Sequence, residues 1–341
     1  MAKRKYSRMS RNKIEPAVQT LTFTGITVPG NGGRVDYIDL SQTASIMNRR
    51  FYRQGINWAV AGFKFTSTPG EGSIIINKLP NTWVMSNAWE KSFRAWQRMN
   101  NEALAETESV RPRFLDFKVY ANAAHHAAGF GANLLPSSST NTLAVPGEWS
   151  PSKIYVPVAQ NATAASTTDF ELIAVGASFP GAGASGLPAV SLIEGYAASR
   201  GLPNVLDPNA PSDAEDASGT TPENWMAALF NDGNTQTQEV IDDMTTENNL
   251  APYPFENDGV NLDTMYPGGA NQLDGLLNHD IEQVSNTTIG GTTRLKGGNF
   301  PCGLIEIALI NNALEAKTYT LQIDLIPGNH RGYLCEPMTE M

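Results

Sequence analysis

The chain is short of charge, short of cysteine and without a long apolar run. Charged residues make up 17% of its 341 residues, below the roughly 25% usual in soluble domains. With 13 Phe, 10 Tyr and 6 Trp, that scarcity suits a protein with much surface buried in a core or between subunits. Two cysteines, Cys302 and Cys335, cannot staple a small secreted scaffold and are expected to be reduced thiols. No stretch reaches the roughly 18 apolar residues of a membrane span. The most apolar one, 121–135, is broken by Asn122, His125, His126 and Asn133. The basic start resembles a signal peptide in charge alone, because Asn12, Lys13, Glu15 and Pro16 stand where an apolar core is needed. The expected setting is a reducing compartment, with no membrane contact.

Catalytic spacings are also missing. HExxH, CxxC and GxSxG do not occur. His125 and His126 are adjacent, so in a strand they would face opposite ways and could not share a metal. Asp213, Glu215, Asp216, Asp242 and Asp243 lack the ordered spacing of a calcium loop and read as solvated carboxylates. Gly181-Ala-Gly183-Ala-Ser-Gly186 has dinucleotide-fingerprint spacing, with Asp207 about twenty residues on. Pro180 before it and Leu187-Pro188 after it spoil the strand–turn–helix that the cofactor needs. An oxidoreductase built on this loop is the weakest of three readings. No catalytic residue, metal or cofactor is expected.

What the chain does have is charge polarity. Residues 1–13 hold Lys3, Arg4, Lys5, Arg8, Arg11 and Lys13 with no acid, a net of +6. Residues 14–118 hold twelve bases and nine acids, and residues 119–341 hold six bases and 25 acids. Between 201 and 282 there are sixteen acids and no Lys or Arg. A basic arm of this kind has no apolar reason to fold and can pair with phosphates by releasing counterions. A second basic group, Arg49, Arg50 and Arg53, is interleaved with Phe51 and Tyr52. It reads equally well as a solvated helix face.

The body reads as strands. Strand signals mark Val18–Val28, Ile56–Thr66, Gly72–Leu79, Arg113–Ala121, Lys153–Val158, Phe170–Phe179, Cys302–Asn312 and Lys317–Pro327, with period-two alternation plainest in the first two and the last. Two helices interrupt them. One follows a capping box of Asn87 and Glu90 and stacks Trp89, Phe93 and Trp96; the other runs Gln42–Arg53 and stops at Gly55. From about 180 to 300 the texture turns to Gly, Pro, Asn and Asp, with a short helix expected near Pro222–Phe230. Such a long insertion on a sandwich is usually functional. The fold class expected is all-β, an antiparallel sandwich with helical and long loop insertions.

Several segments resemble the capsid proteins of circular single-stranded DNA viruses that encode a rolling-circle replication protein. They include Tyr37-Ile-Asp-Leu-Ser, Asn48-Arg-Arg-Phe-Tyr-Arg-Gln-Gly-Ile-Asn-Trp, Asn81-Thr-Trp-Val and Asn87-Ala-Trp-Glu-Lys-Ser-Phe. Downstream are Thr246-Glu-Asn-Asn-Leu-Ala-Pro-Tyr-Pro-Phe, Tyr266-Pro-Gly-Gly-Ala-Asn-Gln-Leu, Gly297-Gly-Asn-Phe-Pro-Cys-Gly and His330-Arg-Gly-Tyr. The resemblance implies a single eight-stranded jelly-roll over 14–341 and self-assembly into a small icosahedral shell of about sixty copies. It also implies a single-stranded DNA genome held by the disordered arm 1–13, a host receptor the sequence does not name, and a life divided between virion and host nucleus or cytoplasm. An RNA virus coat protein would show the same physics. A cellular β-sandwich that binds a carbohydrate or other ligand is the alternative. Acidic residues 201–282 are expected on the outer surface or at subunit contacts, since inside they would repel packaged phosphates.

Overall fold

The structure is a computed structural model that describes residues 16–105, 109, 116–137, 142–157, 167–199, 225–229, 275–285 and 291–340. Its frame is two antiparallel sheets. Strands β1 (Thr20–Val28), β2 (Gly32–Asp39), β3 (Ile56–Ser67) and β4 (Gly72–Lys78) come first. After a long connection, β8 (Leu277–Val284), β9 (Thr292–Phe300), β10 (Leu304–Asn311) and β11 (Lys317–Leu325) follow. One sheet runs β1-β11-β3 with β9 on the far side of β3, and the short strand Cys335–Pro337 continues beside the start of β3. The other runs β2-β10-β4-β8.

The two sheets share one apolar core. Leu21, Phe23, Phe63, Phe65, Leu321 and Ile323 reach it from the first sheet, and Ile38, Ile74, Ile76, Ile305, Ile307 and Leu309 from the second. Alternate residues turn outward, as strand geometry requires. On the first sheet one outward row reads Thr22, Gln322, Lys64, Arg294 across four strands. On the second a row reads Val35, Ala308, Ile75, Ile281. Val35 is 54% and Ile281 50% exposed. The central outward row of the first sheet is therefore polar and basic, and that of the second apolar.

Five of the eight expected strands lie in these sheets. Lys153–Pro157 (β5) and Thr167–Ile173 (β6) instead form a small separate sheet with β7 (Ala189–Ser191). Of 113–121 the described part, 116–121, is extended, with one bridge from Tyr120 to Ile173. The expected insertion at 180–300 also needs correction. The connection between β4 and β8 runs from 79 to 276, and β8 and β9 occupy most of 277–300 in the main sheets. The described part of this connection has a core of its own, where α2 (Trp83–Ala103) packs Val84, Met85, Trp89 and Trp96 around Phe117, Val119, Leu172 and Ile193.

Helix starts differ from expectation for a simple reason: better caps lie upstream. Thr82 accepts from the Met85 N–H, so α2 begins before Asn87. Asp39 accepts from the Ser41 and Gln42 N–H groups, so α1 is Leu40–Asn48. It stops at Arg49, which takes a left-handed conformation (φ 52°), and not at Gly55. The only described part of 222–230 is 225–229, where Trp225–Ala228 is helical.

His125 and His126 lie on a six-residue helix, α3 (Ala123–Ala128), not a strand, and both are buried. Nδ1 of His125 accepts from the Ala121 N–H at 3.0 Å, which leaves the proton on Nε2 to donate to Asn133 Oδ1 at 2.8 Å. The ring stacks on Tyr37 with centroids 4.4 Å apart. His126 Nε2 lies 3.0 Å from the fully buried Glu171 carboxylate.

Burial holds His125 neutral, with its pKa lowered to about 4. Between the model-peptide value of 6.5 and about 4 the unfolded chain takes a proton that the folded chain refuses, so this group costs stability as pH falls through that window. Asp39 has the opposite sign, because burial raises it to about 6 from 3.8. We expect His125→Gln to lose less melting temperature than the parent between pH 7 and 5. Parallel curves would refute the assignment.

Candidate nucleic-acid interface

The arm residues Lys3, Arg4, Lys5, Arg8, Arg11 and Lys13 lie outside the described residues. The described chain begins beside the second predicted basic group. Arg50 Nη1 donates to the carbonyl of Pro16 at 3.3 Å. Two residues on, the Val18 N–H donates to Asn48 Oδ1 at 2.9 Å, and Tyr333 Oη donates to the Val18 carbonyl at 2.6 Å. Asn48 Nδ2 donates to Tyr333 Oη at 2.7 Å, which closes the ring of bonds. Burial pushes the Tyr333 phenol up to about 12, so it keeps its proton at neutral pH.

This corner gathers four exposed arginines. Arg49 and Arg50 follow α1, and Arg53 stands two residues before Gly55. The fourth, Arg331, sits on the turn between β11 and the C-terminal strand, and its guanidinium donates to the Phe51 carbonyl. Tyr52 Oη donates to the Arg331 carbonyl at 2.9 Å. Tyr52, Trp58 and Tyr333 pack together beneath, with ring centroids 5.3 to 5.9 Å apart. Flexible basic side chains therefore stand on a rigid aromatic base.

Both Arg49 (φ 52°) and Arg331 (φ 51°) are left-handed, a region that favours Gly or Asn. Holding a non-glycine residue there costs on the order of 1–3 kcal/mol, and strain of this kind often clusters at functional sites. Sequence reading passed over Arg331: His330-Arg-Gly-Tyr stood out as a segment but carried no role. Only the bonds across 280 residues to Phe51 and Tyr52 reveal its neighbours.

A buried acid, Asp116, lines a cavity with Arg53 and Arg331; its side chain is 4% exposed and paired with Lys118 at 3.1 Å. Its pKa is raised by burial, against the pull of Lys118 and Arg53.

The glycine loop does other work. A Cβ on Gly183 would lie 2.4 Å from the His126 ring, so the loop must close on that buried histidine. Gly181 and Gly186 have φ of 110° and 81°. Helix α4 (Leu192–Ser199) begins after β7, six residues beyond the last glycine of the motif, too late to receive a pyrophosphate. Among the described residues no group of three or more His, Cys, Asp or Glu is placed to hold a metal, and no helix is long and apolar enough to cross a membrane. Cys302 and Cys335 are unpaired thiols.

No family model matches the chain, and no curated protein or solved structure shows significant similarity to it.

Proposed function

We propose that this chain is the coat subunit of a small non-enveloped virus, which closes into a shell and holds a single-stranded genome with its basic arm. The observation that carries the reading is strand order. In each half of the chain consecutive strands alternate between sheets, giving β1-β11-β3-β9 over β2-β10-β4-β8. That order supports a jelly-roll reading, two interlocked Greek keys of four strands each. The fold hosts lectins as well as capsids, so the function rests on the surfaces.

Three surface features favour a shell. The outward row of Val35, Ala308, Ile75 and Ile281 offers apolar area of the sort that contacts between copies bury. The opposite face, with Lys64 beside Arg294, is suited to phosphate. The chain just after the arm, at Pro16, meets Arg50 within the arginine corner, which supports the two predicted basic groups lying on one side.

The long connections and the arm root share one end of the sandwich, but they leave from different places. The arm enters at β1, the edge of one sheet, and the insertion leaves β4 and returns at β8, the far edge of the other. The points where these segments join the sheets are thus separated by the width of about four strands, roughly 15–20 Å. The mechanism involves no bond chemistry: interfaces repeat around closed symmetry axes, and arms neutralise phosphates.

Sedimentation and electron microscopy of the concentrated full-length protein test this. Uniform closed particles are expected. A folded monomer at every concentration and salt condition overturns the proposal.

A further inference from the structure

Beside the arginine corner lies a cavity of about 390 Å³, walled by Phe51, Trp89, Phe93 and Phe117 with Arg53 and Arg331 at its polar side. It falls within the roughly 300–1,000 Å³ of small-ligand pockets. Its rings are firmly set. Trp89 stacks on Phe93 with centroids 5.1 Å apart and planes 15° from parallel, and meets Phe117 edge-on at 6.0 Å. Position 55 carries no side chain, because a Cβ there would lie 2.2 Å from the Trp89 ring.

Trp89 is 6% and Phe117 2% exposed, so they back the cavity wall, while Phe51 and Phe93 stay partly exposed to it. Charge narrows the choice of molecule. Against Arg53 and Arg331, one acid lines the cavity among the described residues, Asp116, and it is paired with Lys118. An aromatic-walled cavity with two guanidinium groups suits a flat, polar-edged ring joined to an anion.

We propose that this cavity takes one unstacked nucleobase of the bound single strand, with the adjoining phosphate held by Arg53 and Arg331. The proposal rests on the coat-protein reading and gives it a site on the folded body, distinct from the arm. Stacking supplies affinity without choosing the base, since every base has a π-face. The bidentate geometry of guanidinium suits the phosphate.

Titration calorimetry on the full-length chain tests it with three probes: deoxyadenosine 5′-monophosphate, deoxyadenosine, and deoxyribose 5-phosphate. The nucleotide is expected to bind tightest. Deoxyribose 5-phosphate, which meets only the cations and the flexible arm, should bind at least about fivefold more weakly, the loss of one stacked base. Phe51→Ala and Arg53→Ala should each weaken the nucleotide by a similar factor. Arg98→Ala, on the exposed face of α2 where it pairs with Glu102, should leave it unchanged.

Equal binding of the nucleotide and the base-free phosphate overturns the site. So does an Arg53→Ala chain that binds the nucleotide like the parent; Arg53 is exposed, so its removal spares the fold even if Phe51→Ala does not. Closed shells without nucleotide binding would sink this inference alone. Nucleotide binding by a chain that never assembles would keep the site and sink the coat-protein reading.

Discussion

Deleting residues 2–13 is expected to leave shells that assemble but carry little nucleic acid. The deletion removes six positive charges per copy and no acid. It ends well before the first strand of the sandwich, which begins at Thr20. Binding by counterion release depends steeply on the number of phosphates neutralised, so losing six contacts per arm should cut affinity by about a thousandfold or more at moderate salt. The absorbance ratio at 260 and 280 nm of purified particles reports the outcome. Particles with normal genome content would remove the arm from the mechanism and leave the arginine corner and the basic sheet face to hold the genome.

The largest effect on stability is expected at Asp39. Its carboxylate is fully buried and accepts four hydrogen bonds: from the N–H groups of Ser41 at 2.8 Å and Gln42 at 3.2 Å, from Gln54 Nε2 at 3.1 Å and from Trp149 Nε1 at 3.0 Å. Gln54 in turn bonds both ways with the backbone of Val119, at 2.7 and 3.1 Å. One side chain therefore ties β2, the cap of α1, the base of the arginine corner and the insertion together. Asp39→Ala strips all four donors of their acceptor. The loss of a cap and of several buried bonds should come to about 3–5 kcal/mol. Asp39→Asn keeps one acceptor oxygen and should cost less. Denaturant unfolding of the unassembled chain measures both, and an Asp39→Ala chain as stable as the parent would contradict the network.

The account was partly legible in the sequence, and the misses have physical causes. Strand β11 was readable because Tyr319, Leu321, Ile323 and Leu325 all enter the core while Thr320, Gln322 and Asp324 do not. Strand β2 was hidden because its Gly32-Gly33 start reads as a turn. Its later residues, Asp36 to Asp39, are buried on both faces, one by the core and one by the insertion, so alternation disappears. The edge strand β8 buries only Val284 fully, and so looks like a polar loop. In β9 the pair Gly297-Gly298 reads as a breaker. Yet a Cβ on Gly297 would lie 2.2 Å from the Val60 carbonyl, so glycine is what lets the two strands meet.

The site divides in the same way. Arg49, Arg50 and Arg53 are adjacent in sequence and could be picked out by composition. That Pro16 lies against Arg50, and that Arg331 joins the group, depends on contacts across 34 and 280 residues. Local pattern carries no record of such pairs. The aromatic cavity is a further case: the stripe of Trp89, Phe93 and Trp96 was legible as a helix face, but not that Phe117 packs on it or that Phe51 lines a cavity with it.

Sidedness is the central claim: basic arm and arginine corner inside, acidic excursion outside. A cryo-electron microscopy reconstruction of assembled particles addresses it most directly. The account predicts that Pro16, Arg49, Arg50, Arg53 and Arg331 line the lumen, with the 201–274 segment on the outer surface or between subunits. A reconstruction with the arginine corner on the outer surface, or with the acidic segment facing the genome beside it, would contradict it.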